Sequence, residues 1–285
     1  MKILLTGSGG FIGKNLKKNF EQKYTLLTPR SYELDLTNDV AVKNYFKSND
    51  IDFIIHCGNT GGARGIKDAD STIEDNLAMV ENILNSKKTS CKVILFGSGA
   101  MYGKSRNLHK VKESEIGQFI PEDLYGKSKL LISNMIKDRD DVLMLNIFGC
   151  YGYGEKENRF PSYAISQALK NEDITINQNV VFDYLFIEDA QKIIEYFVEK
   201  FPQKNIINIT PCESISLLEI ANIVKKITNS NADIKILNPI LNNEYTGDNS
   251  LLLESIPNFQ FTSMEEGLNK LCEYIKNSCN SALTY

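Results

Sequence analysis

An apolar run at 2–6 leads directly into Gly7-Ser8-Gly9-Gly10-Phe11-Ile12-Gly13, and residues 14–22 continue as a polar stretch with helical spacing. No other feature restricts the fold as tightly. The pattern predicts a strand, a glycine turn and a helix, because side chains at such a turn would hold a phosphate away from the positive end of the helix. A dinucleotide pyrophosphate can approach the backbone there. The spacing Gly7-x-x-Gly10-x-x-Gly13 differs from the G-x-G-x-x-G of many dinucleotide-binding turns, although Gly9 supplies a second frame as the loop's middle glycine. An ordinary glycine-rich turn accounts for the same residues, so the ligand has to be argued from the rest of the chain.

Strand and helix patterns then alternate. Residues 24–28 form a second short strand ending at Pro29-Arg30-Ser31, and 38–47 a helix capped by Asn38 or Asp39. A third strand at 51–57 is nearly continuous in apolar residues, as a buried parallel strand should be. Residues 70–88 place Ile73, Leu77, Val80 and Leu84 on one helical stripe. A fourth strand at 92–97 ends at Ser98, a helix at 123–139 carries Tyr125 and Lys129, and a fifth strand spans 142–148. This order predicts an α/β chain with a Rossmann doubly wound parallel sheet. In such a sheet the end of the second strand selects the cofactor, an acid accepting from a ribose 2′-hydroxyl and an arginine pairing with a 2′-phosphate. With Arg30 there and no acid, NADP (NADPH) is expected, NAD being the alternative.

Beyond residue 154 the alternation loosens. A helix at 160–170, a short strand at 174–176 and a segment at 185–187 returning toward the sheet are followed by a helix opened by Asp189 and a strand at 206–209. Ser216 with Glu219, and Ser263 with Glu266, have the spacing of capping boxes. The expected division is a dinucleotide-binding domain at 1–154, rejoined by 182–209, and a smaller mixed α/β C-terminal lobe at 155–181 and 210–285.

Further motifs occur in a fixed order: Phe96-Gly-Ser98-Gly99-Ala100-Met-Tyr102-Gly103, Tyr125-Gly-Lys-Ser-Lys129, Tyr151-Gly152, and Phe182-Asp183-Tyr184-x-x-Ile187-x-Asp189. With these the chain resembles the short-chain dehydrogenase/reductase superfamily over nearly its whole length. The resemblance is to the extended branch, the NAD-dependent epimerase/dehydratase family, which acts on nucleotide-activated sugars. Within that branch Arg30 to Leu36, the strand at 51–56 and Gly61-Gly62 before Asp75-Asn76-Leu77 look like GDP-fucose synthase and related 4-keto-6-deoxy-sugar reductases.

This resemblance implies a catalytic set of Ser98, Tyr125 and Lys129. It implies cofactor contacts from Gly7, Gly9, Gly10, Phe11, Ile12, Gly13, Arg30, Asp35 and Leu36, joined by Tyr125 and Lys129. Substrate contacts are expected from Ser98, Gly99, Ala100 and Tyr125, with Arg159 and Arg64 as phosphate partners that equally suit a solvated surface. Asn76 is expected to tie strands together near the cofactor. A homodimer and a place in making surface-polysaccharide sugars are implied in the same way. Four positions depart from the pattern. Gly149 replaces an asparagine that contacts the diphosphate, and Phe182 replaces an arginine. Ala100 and Asn158 stand where GDP-fucose synthases have the cysteine and histidine that invert C3 and C5.

The four-residue spacing of Tyr125 and Lys129 puts both on one helix face. A free tyrosine, with a pKa near ~10, is a poor partner for proton transfer at neutral pH, and a nearby ammonium is expected to lower that value. Taken singly, Tyr125 suits a half-buried helix position and Ser98 a strand-end turn; behind a glycine loop they suit carbonyl/alcohol redox chemistry. The expected activity is NAD(P)H-dependent reduction of the C4 keto group of a nucleotide-linked 4-keto-6-deoxy sugar, with C3 and C5 retained. A 4-epimerase holding NAD tightly is the nearest rival, since the same triad serves it. A dehydratase would need an acidic pair where Gly99 and Ala100 stand, and a catalytically silent dinucleotide sensor would not need the intact triad.

Composition narrows the classes further. At 285 residues the chain is long enough to bury roughly three quarters of its unfolded surface, and 42% hydrophobic with 24% charged residues is globular usage. A net charge of -4 argues against a nucleic-acid partner. No run approaches the ~18 apolar residues of a membrane span, and no signal-peptide pattern opens the chain, so a cytosolic protein is expected. Six scattered cysteines without a C-x-x-C pair, and two histidines, predict no metal site. Cys57 and Cys150, in or just after apolar strands, read as small buried thiols.

Overall fold

The structure is a computed structural model and describes residues 1–63 and 65–282. Its central sheet contains β1 (Lys2–Thr6), β2 (Thr25–Leu27), β3 (Phe53–His56) and β4 (Lys92–Ser98). After β5 (Leu108–Val111), which lies elsewhere, it is completed by β6 (Val142–Ile147) and, past β7 (Gly149–Tyr151), β8 (Ile174–Gln178) and β9 (Val181–Phe186), by β10 (Ile206–Asn208). The order is β10-β6-β4-β3-β1-β2, and every pairing is parallel. The chain winds outward from β1 to β2 and then crosses back to β3, so the winding reverses between β1 and β3. Ligands of such sheets bind beyond the carboxyl ends of the strands at that reversal.

Alternate strand residues feed two separate cores, which is why the central strands read as continuous apolar runs. Ile3, Leu5, Ile55, Ile94 and Leu145 face one side, where α1 (Phe11–Phe20) and α6 (Ile187–Glu199) bring Leu16, Phe20, Ile193 and Phe197. Leu4, Ile54, Val93, Leu95 and Met144 face the other, against Val42 of α2 (Asp39–Ser48), Val80 and Ile83 of α3 (Thr72–Ser86), and Ile132 and Ile136 of α4 (Leu124–Ile136). Each such buried side chain contributes on the order of 1.5–3 kcal/mol. The two-sided packing therefore holds the strand ends that carry the site.

Local signals set the helix starts. Asn38 Oδ1 accepts from the Ala41 N–H at 3.0 Å to begin α2, and Asp123 Oδ1 accepts from the Gly126 N–H at 2.8 Å to begin α4. Before α7 (Leu217–Thr228) the Ser216–Glu219 box forms in both directions. Ahead of α9 (Met264–Ala282), Ser263 Oγ accepts from the Glu266 N–H at 3.3 Å, while the Glu266 carboxylate pairs with Lys270 instead of reaching back. The expected second box is therefore half formed, because the ammonium one turn on is the stronger partner.

Of the strands within 182–209 only β10 joins the main sheet, while α6 packs on its face. Strand β9 lies in a second sheet, ordered β11-β9-β13-β5 with β7 also against β9, where β11 is Ser214–Ser216 and β13 is Tyr245–Gly247. Asp183, fully buried on β9, ties these strands together. Its carboxylate accepts from the Gly247 N–H at 3.0 Å, Thr210 Oγ1 at 3.0 Å and Ser214 Oγ at 3.2 Å. A buried carboxylate with three donors fixes the strands around it. The remaining strand, β12 (Ile234–Asn238), pairs with β8, and α5 (Phe160–Leu169) and α8 (Ser250–Ser255) complete the fold. Among the described residues no helix is long and apolar enough to cross a membrane.

Candidate active site

The first turn of α1 shows why the glycines are needed. Gly7 has φ +67, and a Cβ there would stand 2.5 Å from the Gly58 nitrogen, so the loops after β1 and β3 touch backbone to backbone. A Cβ on Gly13 would lie 2.2 Å from the Gly7 carbonyl oxygen. Gly10 is the N-cap of α1 and no side chain caps the helix, which leaves the first-turn N–H groups of Phe11, Ile12 and Gly13 available to an anion. The Arg30 guanidinium lies over Gly9, where a Cβ would come within 2.3 Å of its Nη1. The acids nearby are engaged. Glu33 accepts from the Arg30 N–H at 2.7 Å, and Asp35 Oδ1 accepts from the Thr37 N–H at 2.9 Å and its Oγ1 at 2.7 Å. Leu36 is buried, and its carbonyl accepts from Asn82.

Ser98, Tyr125 and Lys129 converge at the carboxyl edge of β4. Ser98 Oγ accepts from the Ala100 N–H at 3.2 Å and lies near enough to the Tyr125 phenol to lower its pKa. Lys129 is buried, with its Nζ 5.4 Å from the centroid of the Tyr125 ring and no hydrogen-bond partner among the described residues. Helix α4 is held at both edges of this set. Asp68 accepts from the Gly62 N–H at 2.8 Å and the Tyr125 N–H at 2.9 Å, and Gly62 rests on the Tyr125 ring, where a Cβ would stand 2.9 Å from Cδ1. Asn76 exchanges hydrogen bonds with the Thr60 backbone and donates to Ser128 Oγ at 3.0 Å; Ser128 Oγ in turn donates to the Tyr125 carbonyl. Asn76 thus ties the loop after β3 to α4 and not strand to strand, because its amide lies on α3 beside that loop.

The expected depression of the tyrosine pKa is reversed. Burial pushes the Tyr125 phenol up to about 12; the Ser98 hydrogen bond opposes this, while the charges of Asp123 and Asp68 add to it. Lys129 lies over the ring, and burial pulls its own pKa down to about 8, with Cys57 opposing. His56, whose Nδ1 is 2.7 Å from Thr6 Oγ1, is driven down to about 3 by burial and then by Lys129, so it stays neutral.

The second sheet supplies residues that the sequence pattern did not single out. Tyr245 on β13 brings its hydroxyl to 3.5 Å from Ser98 Oγ. Its trace in the sequence is one tyrosine after a polar stretch, with no periodicity around it. Gly99 and Ala100 form the turn beside it and are both buried. Arg159, half-buried, is the N-cap residue of α5, and its charge lowers the pKa of Tyr245, Glu155 and Cys150. Glu155 accepts from the Ser162 N–H at 3.1 Å and its Oγ at 2.7 Å, whereas its second oxygen is buried without a partner. Burial outweighs these bonds and the Arg159 charge, leaving Glu155 at about 7. The thiols of Cys57 and Cys150 are pushed up by burial, away from acid/base use. Arg64 lies outside the described residues.

The uncapped first turn of α1 behind closely packed glycines, and a Lys129 side chain without a hydrogen-bond partner among the described residues, fit a nicotinamide dinucleotide. Comparison with known proteins agrees. The family model described as NAD dependent epimerase/dehydratase family matches residues 3–210. The chain is 25% identical to the GDP-L-colitose synthase of Yersinia pseudotuberculosis over 99% of its own length and 100% of that protein. It is also 25% identical to the GDP-6-deoxy-D-talose 4-dehydrogenase of Aggregatibacter actinomycetemcomitans, over 95% and 97%. Among solved structures, a GDP-mannoheptose C4 reductase from Campylobacter jejuni with NADP bound superposes with a TM-score of 0.82 at 20% identity, covering 96% of this chain and 98% of that one.

Proposed function

The chain belongs to the NAD dependent epimerase/dehydratase family, and from that premise we propose that it uses NADPH to reduce the C4 keto group of a nucleotide-activated 4-keto-6-deoxy sugar, leaving C3 and C5 unchanged. The observation that carries this proposal is the set of Ser98 at the end of β4 with Tyr125 and Lys129 on one face of α4, where burial keeps the Tyr125 phenol protonated. Reduction of a ketone needs a donor that starts with its proton, and such a phenol is in that state throughout the neutral range. A dinucleotide held with its pyrophosphate at the glycine turn would supply the hydride. Ser98 holds the ketone oxygen by hydrogen bonding, and Tyr125 passes its proton to that oxygen as the carbon is reduced. Lys129 supplies positive charge and, with Gly7, Gly9, Gly10, Phe11, Ile12, Gly13 and Arg30, holds the cofactor. The names of the three relatives support a sugar linked to GDP.

The test is incubation with NADPH and a GDP-linked 4-keto-6-deoxyhexose in deuterated water, followed by NMR of the product. One NADPH should be oxidised per sugar, with no deuterium at C3 or C5 beyond spontaneous exchange. Interconversion of C4 epimers without net NADPH oxidation would overturn the proposal in favour of a 4-epimerase. Deuterium at C3 or C5 would overturn retention and direct attention to Glu155, the carboxyl group poised near neutrality.

Arg30 supports NADPH over NADH. Arg30→Ala should remove a charge-assisted contact worth on the order of 1.5–3 kcal/mol to a 2′-phosphate and lower the NADPH preference accordingly. Equal use of both cofactors by the unaltered protein would count against this choice.

A further inference from the structure

Resting on the reduction proposed above, we infer that Tyr245 is a second substrate-contacting phenol. Its hydroxyl would join those of Ser98 and Tyr125 around the sugar oxygen at the reacting carbon. Three observations lead to this. The Tyr245 ring is fixed edge-on against Phe148 and Phe182, with centroids 5.4 and 5.8 Å away, so the direction of its hydroxyl is set by packing. That hydroxyl is desolvated, and its one hydrogen-bonding neighbour among the described residues is Ser98 Oγ. At 3.5 Å the two oxygens are too far apart to satisfy each other well, so a substrate oxygen placed between them would gain a donor from both sides.

Gly99 is shaped to this approach. A Cβ at residue 99 would lie 2.6 Å from the Tyr245 hydroxyl oxygen, so the phenol occupies the space that any side chain there would take. A core tyrosine would bring its hydroxyl to a backbone carbonyl or to water. Here it is brought from a strand of the second sheet to the serine at the end of the central sheet, 147 residues away in sequence. Burial keeps its pKa above the ordinary tyrosine value, so the phenol retains its proton. Tyr245 therefore acts as a hydrogen-bond donor to the charge that grows on the oxygen during hydride arrival, while the transferred proton comes from Tyr125. Because β13 is pinned by Asp183, the second sheet is as much a part of the catalytic geometry as the helix that carries Tyr125.

The test is Tyr245→Phe, which keeps the ring and its packing and removes the hydroxyl alone. Its kcat should fall on the order of a hundredfold, the usual loss for one such donor, with the KM for NADPH and the melting temperature unchanged. Wild-type turnover by Tyr245→Phe would overturn the assignment, and so would a loss traced entirely to a lowered melting temperature. A calorimetric arm separates this inference from the proposed reaction. With NADP⁺ present, the wild type is titrated with GDP-mannose, UDP-glucose and ADP-glucose. The best-bound sugar nucleotide should bind Tyr245→Phe several-fold more weakly, while the matching nucleoside diphosphate binds both proteins equally. If the wild type reduces no nucleotide 4-keto sugar, the reaction proposal fails alone and this arm decides. Equal affinity of the two proteins for the sugar nucleotide, or binding of none by either, overturns the role of Tyr245.

Discussion

Tyr125→Phe is expected to lower turnover by roughly 10²- to 10⁴-fold, the contribution of a positioned general acid, while leaving NADPH affinity nearly unchanged. The substitution is informative because so little else depends on the lost oxygen. Phenylalanine keeps the ring on which Gly62 rests, and the backbone N–H of residue 125 still donates to Asp68. The cap at Asp123 and the Ser128 contact to the Tyr125 carbonyl are also preserved, so α4 should keep its place. Only the proton donor and one partner of Ser98 disappear. The measurement is single-turnover NADPH oxidation, with cofactor binding followed separately by fluorescence. Turnover at the wild-type rate would show that the proton comes from elsewhere.

How far the site can be read in the sequence depends on the distance over which each feature is determined. The glycine turn, the asparagine and aspartate caps and the Tyr125–Lys129 pair are settled within a few residues of chain, where φ, helix pitch and first-turn N–H groups obey local rules. The strands β3, β4 and β6 are legible because burial on both faces demands unbroken apolar runs. The second sheet obeys no such rule. Strands β7, β11 and β13 have three residues each and exist through Asp183 and distant partners, so neither alternation nor length marks them. For that reason the sequence does not place Tyr245 at Ser98, and it misdirects β9 to the central sheet. The direction of the Tyr125 pKa fails for another reason. Helical spacing puts an ammonium on the same face as the phenol, but the field at the hydroxyl depends on burial and on Asp68 and Asp123, which spacing does not report.

Lys129→Met is expected to damage two quantities at once. NADPH binding should weaken by roughly 10- to 100-fold, the worth of a hydrogen bond from a charged donor, and turnover at saturating cofactor should fall further through loss of positive charge beside Tyr125. Folding should not suffer, because an apolar side chain of similar length replaces a buried amine that has no partner among the described residues. The pH dependence provides the sharper test. Lys129 is pulled down to about 8, so in the free protein its ammonium prevails below that pH and its neutral amine above it. A dinucleotide that favours the ammonium must then be bound with proton uptake once the pH exceeds 8, and its affinity falls as the pH rises through that value. The neighbouring groups do not imitate this. His56 is held near about 3 and Tyr125 near about 12, and the Cys57 thiol is pushed higher than its ordinary value. NADPH affinity of the wild type should accordingly decline between about pH 7 and 9, by up to roughly tenfold for each pH unit beyond the lysine pKa, whereas Lys129→Met should bind weakly and with no slope. A flat wild-type profile, or a variant that keeps full affinity, would remove Lys129 from the cofactor site and leave it a role in the charge around Tyr125 alone.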